Sequence, residues 1–160
     1  MTRKLLLYGL LLGLFLSCEK DDFCTFNPVT PKLILRFYDD ANPQSIKSLQ
    51  RFSVIAQSKT DSLFVNQSID SIALPLNSNA TTTTYILKVN NVAGATADNE
   101  IATLTISYTP VDTYVSRSCG FKVDFENLSI NSSGGWIKNI TPITTATIED
   151  QSQAHVQIFH

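Results

Sequence analysis

The period of its apolar residues most limits what this chain can fold into, because they recur at every second position through one run after another. In Leu33-Ile34-Leu35-Arg36-Phe37-Tyr38 every odd position is apolar, and in Ala102-Thr103-Leu104-Thr105-Ile106-Ser107-Tyr108 every even one is. A period of two places alternate side chains on opposite faces of an extended strand, whereas a helix needs 3.6. Thr, Val, Ile, Phe and Tyr dominate these runs, and such residues suit a pleated, half-buried surface. Phe121-Lys122-Val123-Asp124-Phe125-Glu126 is the clearest case, with three apolar residues facing one way and three charges the other. One side is expected in the core and the other in water.

The spacing predicts strands at Leu33–Tyr38, Arg51–Gln57, Ser62–Val65, Ser71–Leu74, Thr83–Val89, Glu100–Tyr108, Thr113–Arg117, Phe121–Leu128, Trp136–Ile140, Thr144–Ile148 and His155–Phe159. Turn signals separate them, including Asp39-Asp40-Ala41-Asn42-Pro43, Asn77-Ser78-Asn79, Asn90-Asn91, Pro110 and Ser132-Ser133-Gly134-Gly135. Many short strands without intervening helices mean two sheets or a closed one. The expected fold is all-β, an immunoglobulin-like antiparallel two-sheet sandwich, with a small β-barrel as the alternative. Pro75 has no N–H for a ladder, so the strand before it should end there or lie at an edge.

The amino-terminal end carries an address. Arg3 and Lys4 precede the apolar run Leu5–Leu16, whose 12 residues are too few to cross a bilayer as a helix. Ser17-Cys18 follows, and a small residue before a cysteine is what lipid-modifying export machinery acts on. The expected organisation is therefore a lipoprotein signal peptide at 1–17, a linker at 18–30 acylated on Cys18, and one domain at 31–160. Phe15 stands where a leucine is more usual. Cys18-Glu19-Lys20-Asp21-Asp22 resembles the tether of surface-displayed Bacteroidetes lipoproteins, which implies the outer membrane and favours its outer surface over its periplasmic face.

Loss of residues 1–17 removes Arg3 and Lys4, so 12 basic against 14 acidic side chains becomes 10 against 14 and the net charge moves from −2 to −4. Nucleic acid is not an expected partner, because phosphates call for a clustered basic surface. With Cys18 acylated, Cys24 and Cys119 remain as a pair on the side of the membrane where a disulfide persists, and they are expected to be bonded.

The spaced set Cys24, Thr30-Pro31, Leu35-Arg36-Phe37-Tyr38-Asp39, Leu74-Pro75-Leu76-Asn77, Ile106-Ser107-Tyr108 and Ser118-Cys119-Gly120-Phe121 resembles a family of small Bacteroidetes lipoproteins known as a domain of unknown function. The resemblance implies an exported, β-rich lipoprotein and carries no activity with it.

Each candidate chemistry has a plainer competitor. Cys119 as nucleophile with His155 as base needs a reduced thiol and an orienting third group. His155 and His160, five residues apart, face opposite sides of a continuous strand and cannot share one metal from it. Asp124 and Glu126 share a face as a glycosidase pair needs, but Lys122 beside them marks solvated surface. Asp39-Asp40-Ala41-Asn42 lacks the glycine and distal glutamate of a calcium loop and reads as a turn. No metal and no cofactor are expected. Trp136, the single tryptophan, is expected mainly as core filling, with a sugar-stacking platform formed with Tyr114 as the competing role. Ser62 and Ser71, in Asp61-Ser62-Leu63 and Asp70-Ser71-Ile72, resemble the acceptor triplet of Bacteroidetes protein O-glycosylation.

The expected function is a non-enzymatic binding or assembly module, lipid-anchored at the outer membrane and meeting another envelope protein through a sheet edge or loop face. A carbohydrate-binding lipoprotein is the alternative, and a hydrolase the least favoured.

Overall fold

The computed structural model describes residues 23–24, 29–90, 100–142 and 147–160. The signal segment, Cys18 and the strand expected to begin at Thr144 lie wholly or partly outside the described residues. Nine strands follow in order: β1 (Leu33–Tyr38), β2 (Leu49–Ala56), β3 (Ser62–Ile69), β4 (Ser71–Leu74), β5 (Thr82–Val89), β6 (Glu100–Ser116), β7 (Gly120–Gly134), β8 (Asn139–Pro142) and β9 (Val156–Phe159). They form a sandwich of a four-stranded sheet, β4-β1-β9-β8, and a five-stranded sheet, β3-β2-β5-β6-β7. The described residues contain no helix.

Alternation builds the core as the sequence implies. Leu33, Leu35 and Phe37 point inward from β1, Ile72 and Leu74 from β4, and Val156 and Ile158 from β9. Facing them in one cluster are Phe52 and Val54 of β2, Tyr85 and Leu87 of β5, and Leu104 and Ile106 of β6. Phe37 and Phe52 meet edge to face across the two sheets with ring centroids 5.5 Å apart, a contact that adds about 0.5–1.5 kcal/mol to the burial of both rings.

Two departures from the expected strands share one cause. Glu100–Tyr108 and Thr113–Arg117 are a single strand, β6, running through Pro110. β6 pairs with β5 only as far as Ser107, so beyond it β7 is its sole strand neighbour among the described residues. Phe125, opposite Pro110, exchanges both its backbone bonds with Ile148 on the other side. Pro110 therefore occupies a position that asks for no N–H toward β7. β7 likewise runs into the expected turn at Ser132–Gly135 as far as Gly134, because Asn131, Ser132 and Ser133 pair with β6 and turn propensity yields to the ladder. β3 extends to Ile69 rather than Val65, and the expected strand at Trp136 begins only at Asn139.

One pairing is parallel: β9 lies beside β1 in register Leu35↔Val156 to Tyr38↔Phe159, and all other named pairs are antiparallel. β4 ends at Leu74, before Pro75, and is also an edge strand.

Gly134 closes the β6–β7 ladder opposite Ala102 with φ of 125°, and a Cβ there would lie 2.4 Å from the Ile101 carbonyl oxygen. Gly135 has nothing within 4 Å of such a Cβ. Gly134→Ala is expected to cost about 2–4 kcal/mol in urea unfolding. Gly135→Ala should stay within about 0.5 kcal/mol of the parent.

Candidate functional site

Past Ser107 the β6–β7 ribbon leaves β5 behind and forms an arm, turning at Arg117–Cys119. Cys119 is bonded to Cys24, with their Cα atoms 4.8 Å apart, so the amino-terminal segment is fixed at the tip of the arm. Tyr114 and Phe121 sit opposite one another there, rings edge to face at 5.4 Å. The outer edge of the arm is braced: Phe125 bridges Ile148, the Val123 N–H donates to Thr30 Oγ1, and the Lys122 ammonium donates to the Glu149 carbonyl.

That brace overturns the expectation of a solvated charged face on β7. Asp124 is buried, 7% exposed, with its Oδ1 2.8 Å from Lys122 Nζ, while Phe121 on the supposed core face is 66% exposed. Phe125 is the last fully buried core residue of β7 and Val123 still packs against that core, whereas Phe121 lies beyond it. Glu126 is exposed and Asp124 is ion-paired, so the two are not matched carboxylates.

His155 is buried, yet both ring nitrogens are satisfied. The Ile34 N–H donates to Nδ1 at 2.9 Å, which makes Nε2 the protonated nitrogen, and it donates to the Asp150 carbonyl at 3.0 Å. Burial holds its pKa below the ordinary histidine range, against a smaller opposing pull from Asp150. His160 lies at the other end of β9, with Nε2 3.1 Å from the Lys47 carbonyl. With Cys119 in a disulfide and His155 bonded to backbone on both sides, the two do not form a nucleophile and base.

Trp136 is 5% exposed, wedged edge-on against Phe52 and His160 and tilted against Phe37. It follows Gly134, which faces Ala102, whereas Tyr114 is 12 positions further along β6, about 40 Å at strand rise. The two rings belong to opposite ends of the ribbon and make no common platform. Among the described residues, one concavity lies away from both rings and another is lined by Trp136. The first, of about 470 Å³, runs between Gln57–Lys59 and Pro75–Asn77, and the second, of about 420 Å³, lies beside Trp136, Lys47 and Glu100. In the first, the Tyr85 hydroxyl donates to the Pro75 carbonyl and is pushed up to about 12, mainly by desolvation.

The surface that sequence reasoning missed is β3. Among the described residues it pairs only with β2, and Ser62–Ile69 contains neither a charge nor a proline. Phe64 packs inward while Leu63 and Val65 stand exposed on the opposite face. A bulge relieves its flatness at Asn66, whose φ is 50° and whose N–H donates to Ser53 Oγ. The available signal was the absence of charge between Asp61 and Asp70. Ser62 and Ser71 flank this strand, the second with its hydroxyl on the Asp70 carboxylate.

Fold and surfaces together define an all-β two-sheet sandwich with a disulfide-tied arm. Residues 51–160 match a family of unknown function (DUF6452), and the chain belongs to that family. The match leaves Cys24, Thr30-Pro31 and Leu35–Asp39 of the resemblance outside its bounds. No curated protein and no solved structure matches the chain.

Because burial depresses the pKa of both His155 and His160, the unfolded chain binds more protons than the folded one between those lowered values and about 6.5. Stability is complete above that range and declines as pH falls through it. Melting temperature should drop between about pH 7.5 and pH 5.5, above the carboxylate range, and His155→Phe should reduce that drop even while lowering both values.

Proposed function

We propose that this chain is an exported lipoprotein, acylated on Cys18 and held at the outer membrane, that binds a second envelope protein through the edge of β3. The observation that carries the binding half is the edge itself. Eight residues with no charge and no proline present one side to solvent, and natural edge strands usually carry such residues to prevent pairing. An extended segment of a partner can add there as a further strand, its backbone supplying affinity while Leu63 and Val65 supply side-chain contacts. The anchoring half is supported by Ser17-Cys18 behind its apolar run and by a disulfide between Cys24 and Cys119, a bond that persists outside the cytoplasm. The Glu19–Asp22 run supports the outer surface over the periplasmic face. O-glycosylation at Ser62 or Ser71, where it occurs, brackets the same edge.

A charge on each exposed side chain tests the edge without touching the core. Leu63→Lys with Val65→Lys should leave stability within about 0.5 kcal/mol per site, while abolishing the partner band recovered by crosslinking in intact cells. An unchanged band at unchanged expression contradicts recognition through β3.

A further inference from the structure

We propose that the tip of the β6–β7 arm lies in the headgroup layer of the membrane that anchors the chain, with Tyr114 and Phe121 as its inserted side chains. This inference rests on the acylation of Cys18 proposed above.

Three aromatic side chains gather at this end and stay exposed: Phe23 at 80%, Phe121 at 66% and Tyr114 at 59%. Tyr114 and Phe121 pair directly across the ribbon, and Phe23 adjoins the cysteine bonded to Cys119. Tyr114, with an apolar body and a wet end, suits the boundary between acyl chains and water, and the two phenylalanines add apolar area that is buried there.

The length of chain outside the structure selects the membrane as occupant over a second copy or a protein partner. Cys18 precedes Cys24 by six residues, a span of at most about 20 Å when fully extended. The disulfide then carries that limit straight to the turn of the arm, since the bonded Cα atoms are 4.8 Å apart. A tip held so near the bilayer meets it at a high effective concentration, whereas any soluble partner has to be recruited. Charge within the ribbon does not oppose the contact: Arg117 is the one charged residue from Thr113 to Phe121, and the ribbon's nearest acids, Asp112 and Asp124, lie further back, while Glu19, Asp21 and Asp22 belong to the tether. Insertion of the tip also sets orientation, because β3 is the edge of its sheet opposite β7 and is held clear of the tip.

Phe121→Trp supplies the probe, and buried Trp136 near the other end of the ribbon serves as internal control. Acylated protein purified from membranes is reconstituted into phosphatidylethanolamine and phosphatidylcholine vesicles, with and without brominated acyl chains, then floated on a gradient. If the tip inserts, the protein floats, the added tryptophan emits further to the blue than in detergent-free buffer, and bromine quenches it while Trp136 emission persists. Floating protein whose added tryptophan is neither shifted nor quenched overturns the inference and leaves the anchor intact. Protein that does not float overturns the anchor and the inference with it. Tyr114→Trp gives the same readout from the facing strand and excludes an effect peculiar to one substitution.

Discussion

Where the amino-terminal segment meets the folded domain depends on the bond between Cys24 and Cys119. It joins positions 95 residues apart, which withdraws loop-closure entropy from the unfolded chain worth up to about 4–5 kcal/mol in the chain-entropy model. A domain of this size is stable by only about 5–15 kcal/mol, so the bond weighs heavily in the balance. Its geometric effect is as large: the amino-terminal segment cannot leave from the first strand directly, but must pass the tip of the arm.

The arm in turn is joined to the body by core side chains at its base, Tyr108, Phe125 and Ile148, and by backbone and polar contacts beyond them. Ile148 bridges Phe125, and Glu149 accepts from Lys122. A few residues on, His155 accepts from Ile34 of β1 and donates to Asp150. One segment thus clasps β7 on one side and the first strand on the other. A neutral imidazole suits this place because it is a donor and an acceptor at once, and its lowered pKa keeps it neutral where a charged ring would lose the Ile34 bond. The clasp links the disulfide-bearing arm to the sandwich through β7 and β1.

Features set by local pattern were legible in the amino-acid sequence, and features set by neighbours were not. β1 and β4 lie where period-two alternation and Pro75 put them, and the two-sheet class follows from many short strands. The disulfide was legible by elimination, because only one pair of cysteines remains once Cys18 is assigned to lipid. Pro110 misled because a turn residue and an edge residue without a ladder partner look alike until the partner strands are known. Asp124 misled for a related reason: alternation says which side chains share a face, but not that Ile148 and Glu149 will come to line the neighbouring edge. The parallel place of β9 beside β1 depends on a crossover spanning nearly the whole domain, which no window of residues contains. The edge of β3 was half visible, as an uncharged run, but that it is an edge is a property of the sheet.

The central claim is that one end of the mature chain carries both the lipid and the disulfide. Digestion of the membrane-extracted protein without reduction, followed by mass spectrometry, tests it most directly. The expected result is a single linked species in which a peptide beginning at acylated Cys18 is joined through Cys24 to the peptide containing Cys119. A free thiol at either cysteine, or an amino terminus without fatty acid, contradicts it.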